Sequence, residues 1–248
     1  MESGIRFSDV SFHYPNKTDV LKHITLTISR GTFVGITGVN GSGKSTLTYL
    51  MNGLIPHSVP GTHTGTVFVD GIDTRRKSVS YFSQSVGMVF QNPDFSLFNL
   101  TVAEEISFGL HNLKHAVNNK IIENSLGLVG LFGFETRDPQ SLSFGEKQKV
   151  CLASVLALDV SYIILDEPTA MLDYKSSRQL YALLKKLNTQ GKTIVVIEHD
   201  TDFLWDFTSE TVILDHGSII RSGKTKDVLS QSTLLTSLGI KKPQGVRV

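Results

Sequence analysis

The chain has 248 residues, 40% of them hydrophobic and 19% charged, which is globular material with length enough for a sizeable core. A formal net charge of +1 gives no electrostatic case for nucleic acid, and the single cysteine, Cys151, excludes an intrachain disulfide and a cysteine metal cluster. No apolar run approaches the ~20 residues of a membrane span, and the N-terminus shows no basic start before an apolar run, so neither a span nor a signal peptide is expected.

The first predicted element, Ile5 to Phe12, alternates with period two and reads as a half-buried strand. A turn is expected over His13-Tyr14-Pro15-Asn16, and Leu21, Ile24, Leu26 and Ile28 mark a second strand. Thr32 to Thr37 is β-rich and mostly apolar, and it leads into Gly38-Val39-Asn40-Gly41-Ser42-Gly43-Lys44-Ser45. That stretch fits Gly, four residues, Gly-Lys-Ser, the phosphate-binding P-loop, and Thr46 to Asn52 behind it reads as a short helix closed by Gly53. Strand, glycine loop and helix is the context the motif requires. A polyphosphate needs several converging N–H donors, and glycines let the backbone wrap that closely without Cβ clashes. The helix N-terminus adds unpaired N–H groups and partial positive charge. Lys44 would reach the β- and γ-phosphates, and Ser45 would offer its hydroxyl to Mg²⁺.

Thr66 to Val69 with Asp70-Gly71 is a strand and tight turn, and with the first two strands it predicts an antiparallel β layer beside the nucleotide core. Val86 to Phe90 is another apolar strand, ending at Gln91-Asn92-Pro93. From about Thr101 to Leu158 the pattern turns helical. One helix opens at Thr101, with Glu104 completing a capping box; a second covers Lys120 to Leu128 and a third Glu146 to Leu158. Ser143 followed by Glu146 also reads as a capping box, and the helix end it fixes is one that would face an anion. The core resumes with the strand Ile163-Ile164-Leu165, which ends in Asp166-Glu167-Pro168. In P-loop enzymes such a strand ends in an aspartate that holds Mg²⁺, which suits Asp166, and Glu167 is placed to polarise the attacking water. Ser176 to Leu187 reads as a helix, Thr193 to Ile197 as a buried strand, and Thr211 to Leu214 with Ser218 to Ile220 as a hairpin turning at His216-Gly217. The tail, Ser230 to Val248, is polar apart from Leu234, Leu235, Leu238 and Ile240, a patch that would allow dimerisation.

In that order, Gly38 to Ser45, Leu142-Ser143-Phe144-Gly145-Glu146-Lys147-Gln148, Asp166-Glu167-Pro168-Thr169, Leu172-Asp173 and Glu198-His199-Asp200 resemble the motifs of the ATP-binding cassette ATPases, over roughly residues 5 to 225. The resemblance implies an α/β P-loop NTPase fold of the ABC ATPase type, with a RecA-like core, an antiparallel β subdomain and a helical subdomain. Within a single domain, 1–248, the core and β subdomain would fill about 1–91 and 159–225, the helical subdomain about 92–158, and a short tail about 226–248. ATP and Mg²⁺ are the implied ligands. Gly38, Asn40, Gly41, Ser42, Gly43, Lys44, Ser45 and Thr46 would cradle the phosphates, Tyr14 would stack on adenine, and Ser45, Gln91 and Asp166 would attend the metal. Glu167 resembles the catalytic glutamate, His199 the switch histidine on the γ-phosphate, and Gln91 the glutamine that touches Mg²⁺ or water and senses the membrane partner. Asp173 looks like the acid that communicates across a dimer. In that family two cassettes sandwich two ATP molecules head to tail, so Ser143 and Gly145 would complete the partner's site. The signature usually carries two glycines, and here Phe144 replaces the first.

Gly53-Leu54-Ile55-Pro56-His57, the run Val89 to Asp94, Leu97-Phe98 and the run Thr101 to Gly109 look like energy-coupling-factor and cobalt-type importer ATPases, which take up vitamins or transition-metal ions. The function this implies is an ATP-hydrolysing importer subunit, peripheral at the cytoplasmic face of the cell membrane. Its partners would be a second cassette, in a homo- or heterodimer, and transmembrane components, with no nucleic acid. Two alternatives stand beside it: a cassette that binds ATP and hydrolyses weakly next to a catalytic partner, for which Phe144 is the support, and an ATPase of another ABC importer type.

Overall fold

The computed structural model describes residues 3–15 and 19–246; Asn16, the end of the expected first turn, and the last two residues of the tail lie outside the described residues. The strands in chain order are β1 (Gly4–His13), β2 (Leu21–Ser29), β3 (Phe33–Thr37), β4 (Thr62–Val69), β5 (Ile72–Asp73), β6 (Val86–Val89), β7 (Tyr162–Asp166), β8 (Thr193–Ile197), β9 (Glu210–Asp215) and β10 (Ser218–Lys224). The α-helices are α1 (Lys44–Met51), α2 (Leu54–His57), α3 (Val79–Phe82), α4 (Val102–Asn112), α5 (Asn119–Val129), α6 (Phe144–Ala157), α7 (Tyr174–Thr189), α8 (Thr201–Phe207), α9 (Thr225–Leu229) and α10 (Ser232–Ser237).

Two sheets organise these elements. The larger runs β10-β9-β3-β8-β7-β6, parallel throughout except that β10 returns antiparallel to β9. β3, β7 and β8 are buried at every residue, as apolar runs are in a parallel sheet covered on both faces. Alternation along these strands splits their side chains between two cores. Ile163, Leu165, Ile194 and Val196 join a cluster with residues of α4, α5, α6 and α7, whereas Ile164, Val195 and Ile197 join one with α1 and the smaller sheet.

The smaller sheet, β2-β1-β4-β5, is antiparallel. Strict period two would send Phe7 and Val10 of β1 to opposite faces, yet Ile5, Phe7, Val10 and Phe12 are all buried. A register shift between Phe7 and Val10, with Asp9 at φ +50°, supplies the extra residue of a β-bulge and re-phases the strand.

α4, α5 and α6 enter the chain between β6 and β7. Both expected capping boxes are present, Thr101 with Glu104 and Ser143 with Glu146. α7 begins at Tyr174, earlier than the expected Ser176, because the Asp173 carboxylate caps it by accepting from Ser176 N. α8, α9 and α10 were not anticipated. In the tail, Leu235 and Ile240 are buried in the larger core and Leu234 and Leu238 pack against it, so the apolar patch is spent on this chain's own core.

Candidate functional site

β3 delivers the chain to its carboxyl end at Thr37, between β8 and β9, and the glycine loop turns there into α1. A Cβ at Gly38, at φ +153°, would lie 2.0 Å from the Leu214 carbonyl oxygen, so only glycine fits. Asn40 and Gly41 stand exposed at the crest, and Ser42 and Thr46 are buried on either side of Gly43 and Lys44. Lys44 Nζ donates to the carbonyls of Gly38 at 2.9 Å and Val39 at 3.0 Å, which holds the ammonium inside the loop. Burial lowers its pKa, partly offset by Glu167 and Asp166. The Ser42 hydroxyl is buried without a hydrogen-bond partner, an orphaned polar group at the position where a phosphate oxygen would accept from it. Tyr14, at the end of β1, reaches the same loop: its hydroxyl is 3.0 Å from Thr46 Oγ1, and its ring meets Phe12 edge-on.

The carboxyl ends of β6, β7 and β8 bring the remaining polar groups to the same edge, where ligands bind in open α/β sheets. Asp166 ends β7 and is 5% exposed; burial raises its pKa, opposed by the Ser45 hydroxyl and by Lys44. Ser45, Gln91 and Asp166 line one cleft of about 370 Å³ together with Tyr49 and Phe90. These are oxygen donors of the hard-cation type, and a buried carboxylate beside a hydroxyl with room for phosphate oxygens and waters fits Mg²⁺, which is seldom held in an all-protein cage. Among the described residues no group of three or more His, Cys, Asp or Glu side chains forms such a cage.

Glu167 lies one residue beyond the strand with φ +47°, a left-handed conformation unusual for a non-glycine residue and of the kind that collects at working sites. Its backbone N–H is held by the Ile197 carbonyl at 3.1 Å. Gln91 Nε2 donates to its Oε2 at 2.7 Å, and His199 Nε2 lies 2.8 Å from its Oε1. The carboxylate thus joins side chains from the ends of three neighbouring strands. Beneath them Glu198, 4% exposed, accepts from Thr169 Oγ1, Tyr181 Oη and the N–H groups of His199 and Asp200. That buried acid ties the loop after β7 to the loop carrying His199. Sequence reasoning named it only as part of a motif, because its partners are distant in the chain.

Ser143, Gly145 and Asp173 are placed apart from this group. Ser143 N and Oγ both donate to Glu146 Oε2, and Gly145 lies against Leu172. Asp173 is exposed and makes its hydrogen bonds within the cap of α7, which hold its carboxyl below the ordinary range. Phe144 takes the first helical position of α6 and is half-buried. Lys147 Nζ donates to Asp94 Oδ1 at 2.6 Å, which links α6 to the stretch just after Gln91.

The family model described as "ABC transporter" matches residues 21–170. A putative ABC transporter ATP-binding protein of Pyrococcus horikoshii is 44% identical over 248 residues, covering 98% of this chain and 87% of that protein. An energy-coupling factor transporter ATP-binding protein of Mycoplasmoides gallisepticum is 34% identical, covering 97% and 85%. Among solved structures, CbiO1 of Clostridium perfringens, part of the ABC transporter complex CbiONQ, superposes with a TM-score of 0.81 at 30% identity over 96% of this chain and 95% of that one. A dimeric ATP-binding cassette in a post-hydrolysis state, bound to ADP and Pi, superposes with a TM-score of 0.79 at 30% identity, over 89% and 98%. The chain belongs to the ABC transporter family as one of its ATPases, with relatives in the energy-coupling-factor branch.

Proposed function

We propose that the chain is the ATP-hydrolysing subunit of an energy-coupling-factor-type importer for a vitamin or a transition-metal ion. It works at the cytoplasmic face of the cell membrane as one of two cassettes. The observation that carries the reading is the Glu167 carboxylate, held at hydrogen-bond distance by both Gln91 and His199 beside Lys44 and Asp166.

In this reading the loop N–H groups, Lys44 and the Ser42 hydroxyl bind the phosphates, and Tyr14 carries the adenine. Ser45, Asp166 and Gln91 hold Mg²⁺, which neutralises phosphate charge when bound. Glu167 takes a proton from the attacking water, and His199 donates to the γ-phosphate, where charge builds in the transition state. Ser143 hydrogen-bonds Glu146 of its own helix and Gly145 lies against Leu172, with neither bonded to the P-loop cluster, and in this reading they serve a second cassette head to tail; a dimeric cassette among the similar structures is consistent with a second cassette.

The membrane side of the reading rests on a separate surface. Phe95, Phe98 and Leu100 are exposed at 87%, 63% and 81%, directly after Gln91, and Phe108 packs edge-on against Phe98. The buried carboxylate of Glu105 accepts from the N–H groups of Phe98 and Asn99 and from the Asn99 amide, so the apolar residues are presented on a fixed loop. An apolar, rigid patch next to Gln91 suits a helix of a transmembrane component.

The test is ATP hydrolysis by the purified chain and by Glu167→Gln, with oligomeric state followed in ATP·Mg²⁺. Turnover in the wild type is expected to fall at least about 100-fold in the variant, the usual scale for losing a general base, while ATP traps the variant as a dimer. A variant that hydrolyses like the wild type removes Glu167 from the role.

A further inference from the structure

The segment after α10 passes the glycine loop and is fastened to the start of α8. Ile240 is buried in the larger core, which anchors it. Just before it, Gly239 comes up to Val39 of the glycine loop, close enough that a Cβ would stand 4.0 Å from the valine methyl. Just after it, Lys241 Nζ donates to Asp200 Oδ1 at 2.9 Å and to Asp202 Oδ2 at 2.7 Å. The Lys241 carbonyl accepts from the fully buried Thr201 hydroxyl at 2.9 Å. Gln244 N donates to Asp202 Oδ1 at 2.6 Å, and Gly245 lies so close to the Trp205 indole that a Cβ would be 2.4 Å from Nε1.

All four contacted residues, Asp200, Thr201, Asp202 and Trp205, belong to α8 or its cap, and α8 starts two residues after His199. Asp200 is the N-cap: the oxygen that binds Lys241 also accepts from Asp202 N at 3.1 Å. Two carboxylates therefore crowd the start of one short helix, and one ammonium bridges both. His199 sits on the loop between β8 and that cap; its N–H and that of Asp200 both donate to the buried Glu198 carboxylate, and Asp200, the next residue, is the one that Lys241 binds. Its half-exposed ring has Glu167 as its hydrogen-bond partner, so the aim of the ring depends on where the backbone between β8 and the Asp200 cap is held.

We propose that Lys241 is a positioning residue for ATP hydrolysis, tying the tail to the start of α8 so that His199 is held against Glu167 and the γ-phosphate. It rests on the role proposed above for His199. Lys241 and its two partners are partly exposed, at 49%, 38% and 26%, and ion pairs of that kind add little to stability. Loss of Lys241 is thus expected to appear in turnover rather than in unfolding.

Turnover at saturating ATP·Mg²⁺ and saturating protein would be measured for wild type, Lys241→Ala, Lys241→Arg, His199→Ala and the Lys241→Ala/His199→Ala double variant. The ¹⁵N signals of the His199 imidazole would be followed in the lysine variants. Lys241→Ala is expected to lower kcat about 10-fold with KM for ATP little changed, the signature of a misaimed rather than missing group. Lys241→Arg should regain most of it, because a guanidinium spans two carboxylates. The double variant should be no slower than His199→Ala, since both changes act on one group. Unchanged kcat and unchanged His199 signals in Lys241→Ala overturn the proposal, and so does an additive loss in the double variant. If His199→Ala alone turns over like the wild type, the role of His199 fails instead, and the imidazole signals still report whether Lys241 aims the ring.

Discussion

Among the described residues, burial without a partner singles out two side chains, and they call for different explanations. The Ser42 hydroxyl lies in the glycine loop, where a phosphate answers it. The Gln148 amide lies in α6, 4% exposed, with neither Nε2 nor Oε1 bonded, and it lines a mostly apolar cavity of about 430 Å³ shared with Leu152, Leu165 and Leu172. Each unpaired buried polar group costs about 1–3 kcal/mol, and methionine keeps the length without the amide. Gln148→Met is therefore expected to raise the urea midpoint by the equivalent of about 1–2 kcal/mol. A lowered midpoint would mean that water in the cavity bonds the amide. At this scale the phosphate loop was legible because its residues are consecutive and each type has a chemical reason. Glu198 and Lys241 were not, because their meaning lies in partners such as Thr169 and Asp200, 29 and 41 positions away.

Helix starts show how the same local rule succeeds or fails. Thr101 with Glu104 and Ser143 with Glu146 could be read directly, since both halves of a capping box lie within four residues. The start of α7 falls two residues before the position that the sequence pattern gives, because Asp173 accepts from Ser176 N and caps the helix there. The bulge in β1 was hidden for the opposite reason: Asp9 has no sequence mark that distinguishes it from any polar strand residue. Ser143 is a cap, and under the function proposed above it would also serve the partner's site; the two roles can be separated. Glycine at an N-cap costs only a few tenths of a kcal/mol relative to serine, so Ser143→Gly should leave the unfolding midpoint nearly unchanged. It also removes the hydroxyl that the proposed function offers to the partner's nucleotide, so under that reading turnover should drop about 10-fold or more. Equal turnover with an unchanged midpoint would reduce Ser143 to a cap.

At the scale of the whole molecule, the proposed nucleotide site draws on both sheets, because Tyr14 follows a strand of the smaller sheet and the phosphate loop follows a strand of the larger one. No sequence pattern shows how the two sheets meet. Besides the apolar core they share, a polar knot at the other end of the same sheets joins them. Asp70, after β4, accepts from Gly4 N at 3.0 Å, from Arg30 Nε at 2.9 Å and from the Tyr162 hydroxyl at 2.6 Å, and Tyr162 opens β7 of the larger sheet. Burial pushes the Asp70 carboxyl up, but the bonds from Arg30, Tyr162 and Gly4 outweigh it and hold the carboxyl below its ordinary value. Burial and the bond to Asp70 push the Tyr162 phenol up to about 12. A carboxyl with a depressed folded pKa contributes its full stabilisation above the unfolded value near 3.9 and loses it as pH falls below that. Asp70→Asn is therefore expected to lower stability by about 1–3 kcal/mol at pH 7 and to flatten the loss of stability as pH falls below about 4. Tyr162→Phe should cost one hydrogen bond, about 1 kcal/mol, yet keep most of the acid dependence, because Arg30 remains. Urea unfolding of the three proteins over that pH range decides it. Parallel curves for wild type and Asp70→Asn would show that the carboxyl titrates alike in the folded and unfolded chain, and the charge of Asp70 would then contribute nothing to the knot.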